Sequence, residues 1–141
     1  MKFKRLLPYI VLSVFVATML SACGPSTVDV ALTTYEIVPS TSSVSAGEVT
    51  FHVHNDATDL THEFVIFKTD LAEDNLPLTA EGIVDEEADG ISLVDEVEDV
   101  TPGTSQDLTV TLEPGNYVLV CNVDSDEMHY QHGMHAAFTV K

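Results

Sequence analysis

The chain has 141 residues, with 5 Lys and Arg against 23 Asp and Glu, for a formal net charge of −18. Phosphate groups would repel such a surface, so no nucleic-acid partner is expected; the acidity suits a basic partner, a saline habitat or solubility alone. The length bounds the chain to one domain with a single core.

The N-terminus reads MKFKRLLPYIVLSVFVATMLSAC. Lys2, Lys4 and Arg5 precede a mainly apolar run from Leu6 to Leu20, which is the anatomy of a secretory signal. The run is short for crossing about 30 Å of hydrocarbon. Its end, LSAC at Leu20–Cys23, resembles a bacterial lipobox, which implies cleavage before Cys23 and acylation of that cysteine. On this reading 1–22 is a lipoprotein signal peptide. Residues 23–34 are a lipid-anchored tether leading into the first strand, with GPSTVD flexible, and 35–141 form the folded domain. The protein is then expected to be exported and lipid-anchored, on a periplasmic or other extracytoplasmic membrane face. Once the signal is removed, only Lys68 and Lys141 offset the acids. With Cys23 carrying lipid, Cys121 has no disulfide partner, and a free thiol in an oxidising compartment calls for burial or a metal.

The rest of the chain reads as short strands in sequence. VDVALTTYEIVPS is an extended run closed by Pro39-Ser40. SAGEVTFHVHND alternates, with Val49, Phe51 and Val53 on one face and Thr50, His52 and His54 on the other, as in a half-buried strand. HEFVIFK, SLVDEVEDV, SQDLTVTL, NYVLVCNV and HAAFTVK follow, punctuated by turns at TPGTS and EPGN. Between HEFVIFK and SLVDEVEDV lies TDLAEDNLPLTAEGIVDEEADG, residues 69–90, acidic and weakly periodic. It is expected to be a long connection with one helical turn. Regularly spaced short strands predict an all-β protein, a Greek-key sandwich or barrel.

The stretch CNVDSDEMHYQHGMH near the C-terminus concentrates soft ligands. Cys121 closes a predicted strand, His129 and Met134 follow it, and upstream His62 stands where a loop enters HEFVIFK. A thiolate and a thioether suit Cu(I), and imidazoles suit Cu(II), so a Cys-His-His site with a weak axial Met can hold both oxidation states. Zinc would prefer a carboxylate from Asp126 or Glu127 to the thioether. The bland alternative is a buried core thiol with ordinary surface histidines. His52 and His54 are expected to be solvated. His132 and His135 are expected to shape the rim of the site or to form an accessory metal site with His52 or His54.

The residues VTFHVHNDATDLTHEFVI and PGNYVLVCN…HYQHGMHAAFTV resemble the cupredoxins, the blue-copper family that includes plastocyanin, azurin, auracyanin and rusticyanin. The resemblance implies a Greek-key β-sandwich binding one copper through His62, Cys121, His129 and Met134. Members of this kind commonly have a shorter Cys-to-His spacer; here NVDSDEM intervenes. His132 is the competing register, and His129 is preferred because HYQHGM then keeps the family spacing to the methionine. Several members carry Asn or Ser after the first histidine, where Glu63 stands here. The family's exit route for electrons implies an apolar patch over His129, with Met128, Tyr130 and Leu60 as its candidates.

The expected function is therefore a lipid-anchored, monomeric one-electron carrier, not an enzyme. Its acidic DSDE segment would steer a cationic redox partner such as a c-type cytochrome. A copper-handling protein that stores or delivers the metal is the alternative.

Overall fold

The computed structural model describes residues 24–125 and 127–141. The expected signal peptide, the lipidation site Cys23 and the carboxylate of Asp126 lie outside the described residues. The strands are β1 (Ser26–Leu32), β2 (Ile37–Pro39), β3 (Ser43–Val44), β4 (Gly47–Asn55), β5 (His62–Lys68), β6 (Ser92–Val100), β7 (Ser105–Leu112), β8 (Gly115–Val120) and β9 (His135–Val140). They form a four-stranded sheet in the order β2-β1-β4-β7 and a five-stranded sheet in the order β3-β9-β8-β5-β6. Both sheets are mixed: β1 runs parallel to β4 and β3 parallel to β9, and the other pairs are antiparallel.

Period-two patterning decides which residues enter the space between the sheets. In β4 the buried phase holds Val49, Phe51, Val53 and Asn55, and the outward phase holds Thr50, His52 and His54. Phe51 stands between Phe64 of β5 and Phe138 of β9, with ring centroids 5.4 and 5.5 Å away. All three rings are buried, as are Leu32, Ile66, Leu112 and Leu119. Each fully buried side chain of this size contributes about 1.5–3 kcal/mol.

Three expectations change. VDVALTTYEIVPS is two strands, because a turn closed by Thr33 N–H donating to Glu36 C=O (3.0 Å) folds β2 back beside β1. Ser26 to Asp29, expected in the flexible tether, belong to β1, where pairing with β4 satisfies their backbone groups. Residues 69–90 contain turns and a bridge between Leu78 and Val84, with no helical turn. The 3₁₀ turn described in this chain is Tyr130–His132.

Two irregularities prepare one end of the sandwich. Between the pairs His62↔Val100 and Phe64↔Val97 the register of β5 and β6 shifts, so β6 carries an extra residue. Asp99 takes φ 53° there, a left-handed conformation that Asp tolerates better than most residues. The bulge ends regular pairing where β5 begins with His62.

Candidate metal centre

His62, Cys121 and His129 are brought together, with one donor atom of each within 4.8 Å of the others. The Nδ1 atoms of the two histidines are 3.1 Å apart. Cys121 Sγ is 3.6 Å from His62 Nδ1 and 3.3 Å from His129 Nδ1. All three side chains are buried, and Met134 beside them is fully so.

Each donor is placed by a local device. His62 is the first residue of β5, reached through a loop that Asn55 organises. The Asn55 amide donates to Leu60 C=O (2.8 Å) and Val100 C=O (2.7 Å), and its Oδ1 accepts from Ala57 N–H (2.9 Å). Cys121 follows the last residue of β8, and its N–H donates to Met134 C=O (3.0 Å). His129 opens the 3₁₀ turn, and its carbonyl accepts from His132 N–H and Met134 N–H, both at 3.1 Å. Gly133 ends the turn at φ 97°, a conformation that costs glycine little. The reversal from His129 to Met134 thus returns the methionine to the backbone of Cys121.

Burial sets the protonation of the donors. It pulls the His62 imidazole down to about 4, with His129 adding to the effect and the Thr33 backbone opposing it. Burial also lowers His129, against the charge of Glu127. Burial pushes the Cys121 thiol up to about 12, although the Glu63 and Val123 backbones work against this. The metal-free cluster therefore consists of two neutral imidazoles and a protonated thiol at pH 7. The lone pairs of two neutral imidazoles and a soft sulfur meeting in a buried spot fit a copper ion, and the donor set matches the softness of both oxidation states.

The other candidate residues fall into place around this cluster. His132 is exposed and stacks on Tyr35, with centroids 4.7 Å apart and planes at 26°. Glu127 is exposed and accepts a hydrogen bond from the Tyr35 hydroxyl. Glu63 reaches the site by its backbone, whose N–H points at Cys121 Sγ (3.4 Å). Its half-buried carboxyl is pushed up to about 7 by burial and by Glu96, Glu98, Glu86 and Asp99. His135 opens β9 beside Tyr130, with centroids 5.3 Å apart. His52 bonds to Asp107, and His54 to Ser105 (2.7 Å) and Asp56 (3.1 Å), on the outer face of the other sheet. The accessory metal site expected from His132, His135, His52 and His54 is not assembled: among the described residues, the one group of three or more metal-capable side chains is His62, Cys121 and His129.

The expected patch over His129 also changes. Leu60 and Met128 are partly exposed, but Tyr130 is buried. Its hydroxyl accepts from Leu76 N–H (2.8 Å) and donates to Glu73 C=O (3.0 Å). The aromatic ring that meets His129 edge-on is Tyr35, 5.6 Å away, a residue distant in sequence and without a motif to flag it. Asn55 did carry a signal: it occupies the inward phase of an alternating strand, where a polar side chain needs partners.

No protein-family model matches the chain, and a search of curated proteins finds no match. Solved structures do match. Auracyanin from the photosynthetic bacterium Roseiflexus castenholzii, reduced with dithionite, is 22% identical at a TM-score of 0.57, covering 82% of this chain and 97% of that one. Auracyanin A, a blue copper protein from the green thermophilic photosynthetic bacterium Chloroflexus aurantiacus, is 20% identical at 0.57, covering 84% and 100%. Rusticyanin from Thiobacillus ferrooxidans is 16% identical at 0.57, covering 83% and 77%. With its two-sheet sandwich matching these proteins over nearly the whole described chain, this protein has the cupredoxin fold.

Proposed function

We propose that this chain is a blue-copper electron carrier, binding one copper through His62, Cys121, His129 and Met134. The observation that carries the reading is the convergence of a buried thiol and two buried imidazoles within 4.8 Å at one end of the sandwich. The similar auracyanin A is itself a blue copper protein. Bound copper would supply a one-electron couple. The chain's own part is to offer neutral imidazoles without competition from protons, to release the Sγ proton of Cys121 on metal binding, and to exclude water. Burial of every donor favours electron transfer through the protein over catalysis at an open metal position. It also favours a carrier over a delivery protein, whose metal must be exchangeable.

Acylation of Cys23 would tie the domain to an extracytoplasmic membrane face. β1 begins at Ser26, opposite Val49, and ends at Leu32, opposite Asn55 beside the metal cluster. Its seven residues span roughly 20 Å, so an anchored domain would hold its metal end away from the lipid and open to a soluble partner. The acidic surface suits a cationic one, such as a basic c-type cytochrome. The functional unit is a monomer in this reading.

The test is the visible spectrum of the copper-loaded chain. Cu(II) bound by the Cys121 thiolate gives intense charge-transfer colour, and Cys121→Ser abolishes it. A colourless protein holding Cu(II) through nitrogen and oxygen alone would sink the proposal.

A further inference from the structure

The segment 69–90 is fastened to the metal loop at both ends of that loop. At the Cys121 end, the Asn122 amide brackets Val84: its Oδ1 accepts from Val84 N–H (2.7 Å), and its Nδ2 donates to Val84 C=O (3.2 Å) and to Glu86 Oε1 (3.1 Å). At the His129 end, the Tyr130 hydroxyl bridges Leu76 N–H and Glu73 C=O (2.8 and 3.0 Å), and Gln131 Nε2 donates to Gly82 C=O (2.7 Å). Asn122, Tyr130, Val84 and Leu76 are all buried. Each fastening side chain is one or two residues from a metal-cluster residue.

We propose that the acidic segment 69–90 is a brace that sets the separation of Cys121 from His129, with Asn122 and Tyr130 as positioning residues. The proposal rests on the blue-copper reading and deepens it. The seven residues between Cys121 and His129 include exposed Asp124 and Glu127. A surface segment of this length confines its ends weakly, since closure entropy changes slowly with length. Buried hydrogen bonds confine them strongly, because a lost partner leaves a desolvated polar group unpaired. The brace therefore holds the 3.3 Å approach of Cys121 Sγ to His129 Nδ1 whatever the intervening loop does. Coupling of this kind is reciprocal, so metal bound at the cluster also protects the brace.

The test compares three variants of the full chain. Asn122→Ala and Tyr130→Phe loosen the brace, and Tyr130→Phe does so by removing one oxygen while keeping the ring. The paired change Asp124→Gly with Ser125→Gly loosens the loop alone. In the copper-loaded chain, each brace variant is expected to move the charge-transfer bands, the copper hyperfine splitting and the reduction potential. The loop variant is expected to leave them at their original values. In the metal-free chain, each brace variant should raise the rate of Cys121 alkylation about tenfold, the size expected for losing a buried hydrogen bond, and the loop variant should not. Equal effects from loop and brace variants, or none from the brace variants in either measurement, overturn the proposal. The alkylation contrast needs no metal, so a parent chain without blue-copper colour would remove the functional reading while leaving the brace to be decided by labelling.

Discussion

The outer faces of the two sheets were built differently. On the four-stranded sheet, β4 shows solvent Thr50, His52 and His54, and its side chains alternate between buried and exposed. On the five-stranded sheet, β5 and β8 are buried on both faces. Val65, Phe67, Val118 and Val120 form a second core there with Leu76, Val84, Ile91 and Tyr130. A segment with many carboxylates thus serves as a packing layer, because Leu76 and Val84 land on the sheet while most of its charges, and Leu71 and Leu78, face water. The metal cluster takes His62 and Cys121 from the ends of β5 and β8, the two strands covered on both sides. Strands packed on both faces cannot slide or flip without exposing apolar surface, which suits donors that must keep their separations.

The sharpest way to break this comparison is to empty the covered face. Phe67→Ala should cost about 3–5 kcal/mol of unfolding free energy, measured by denaturant titration, since a fully buried ring leaves a cavity. A cost below about 1 kcal/mol, the range of surface changes, would mean that the acidic layer does not close over the sheet. The matched change on the bare face is Thr109→Val, which removes the exposed Thr50–Thr109 hydroxyl pair (2.9 Å). Its effect should stay within about 0.5 kcal/mol, and a larger loss would reveal cover on that face too.

The smallest effect concerns His52 on the bare face. A hydrogen bond to the Asp107 carboxylate and its charge hold the imidazole above its ordinary 6.5, with desolvation opposing this and Asp29 adding to it. A raised folded-state value favours the protonated form. The contribution is complete below pH 6.5 and is lost as pH rises through the folded value. Titration followed by NMR should place His52 above 6.5, and Asp107→Asn should bring it back. An unchanged midpoint in that variant would mean that the pair does not form in solution.

Much of the architecture was readable along the chain. The alternation of SAGEVTFHVHND announced one wet face, and the unbroken run in HEFVIFK proved to be buried on both faces. Period and composition are properties of neighbouring residues, so they survive without knowledge of the fold. The weak period of residues 69–90 concealed a layer, because Leu76 and Val84, with Ile91 just beyond, are spaced for a winding path over a sheet and match neither helix nor strand. The family's exit route for electrons implies a surface place for Tyr130, yet the 3₁₀ turn buries it beneath the acidic segment.

The sequence by itself determined the all-β class, most of the strands from SAGEVTFHVHND onward and the singling out of His62, Cys121 and His129 as one donor set. Strand signals are local, and thiol and imidazole chemistry belongs to the side chains themselves. Only the tertiary structure decided that Tyr35 meets His129, that Asn55 orders the loop before His62, and that Asn122 grips Val84. The Tyr35–His129, Asn122–Val84 and Asn55–Val100 contacts join residues far apart in the chain, so each partner is supplied by a return of the chain over the sheets. A periodicity carries no record of that return, because it depends on where several separate segments come to rest against one another.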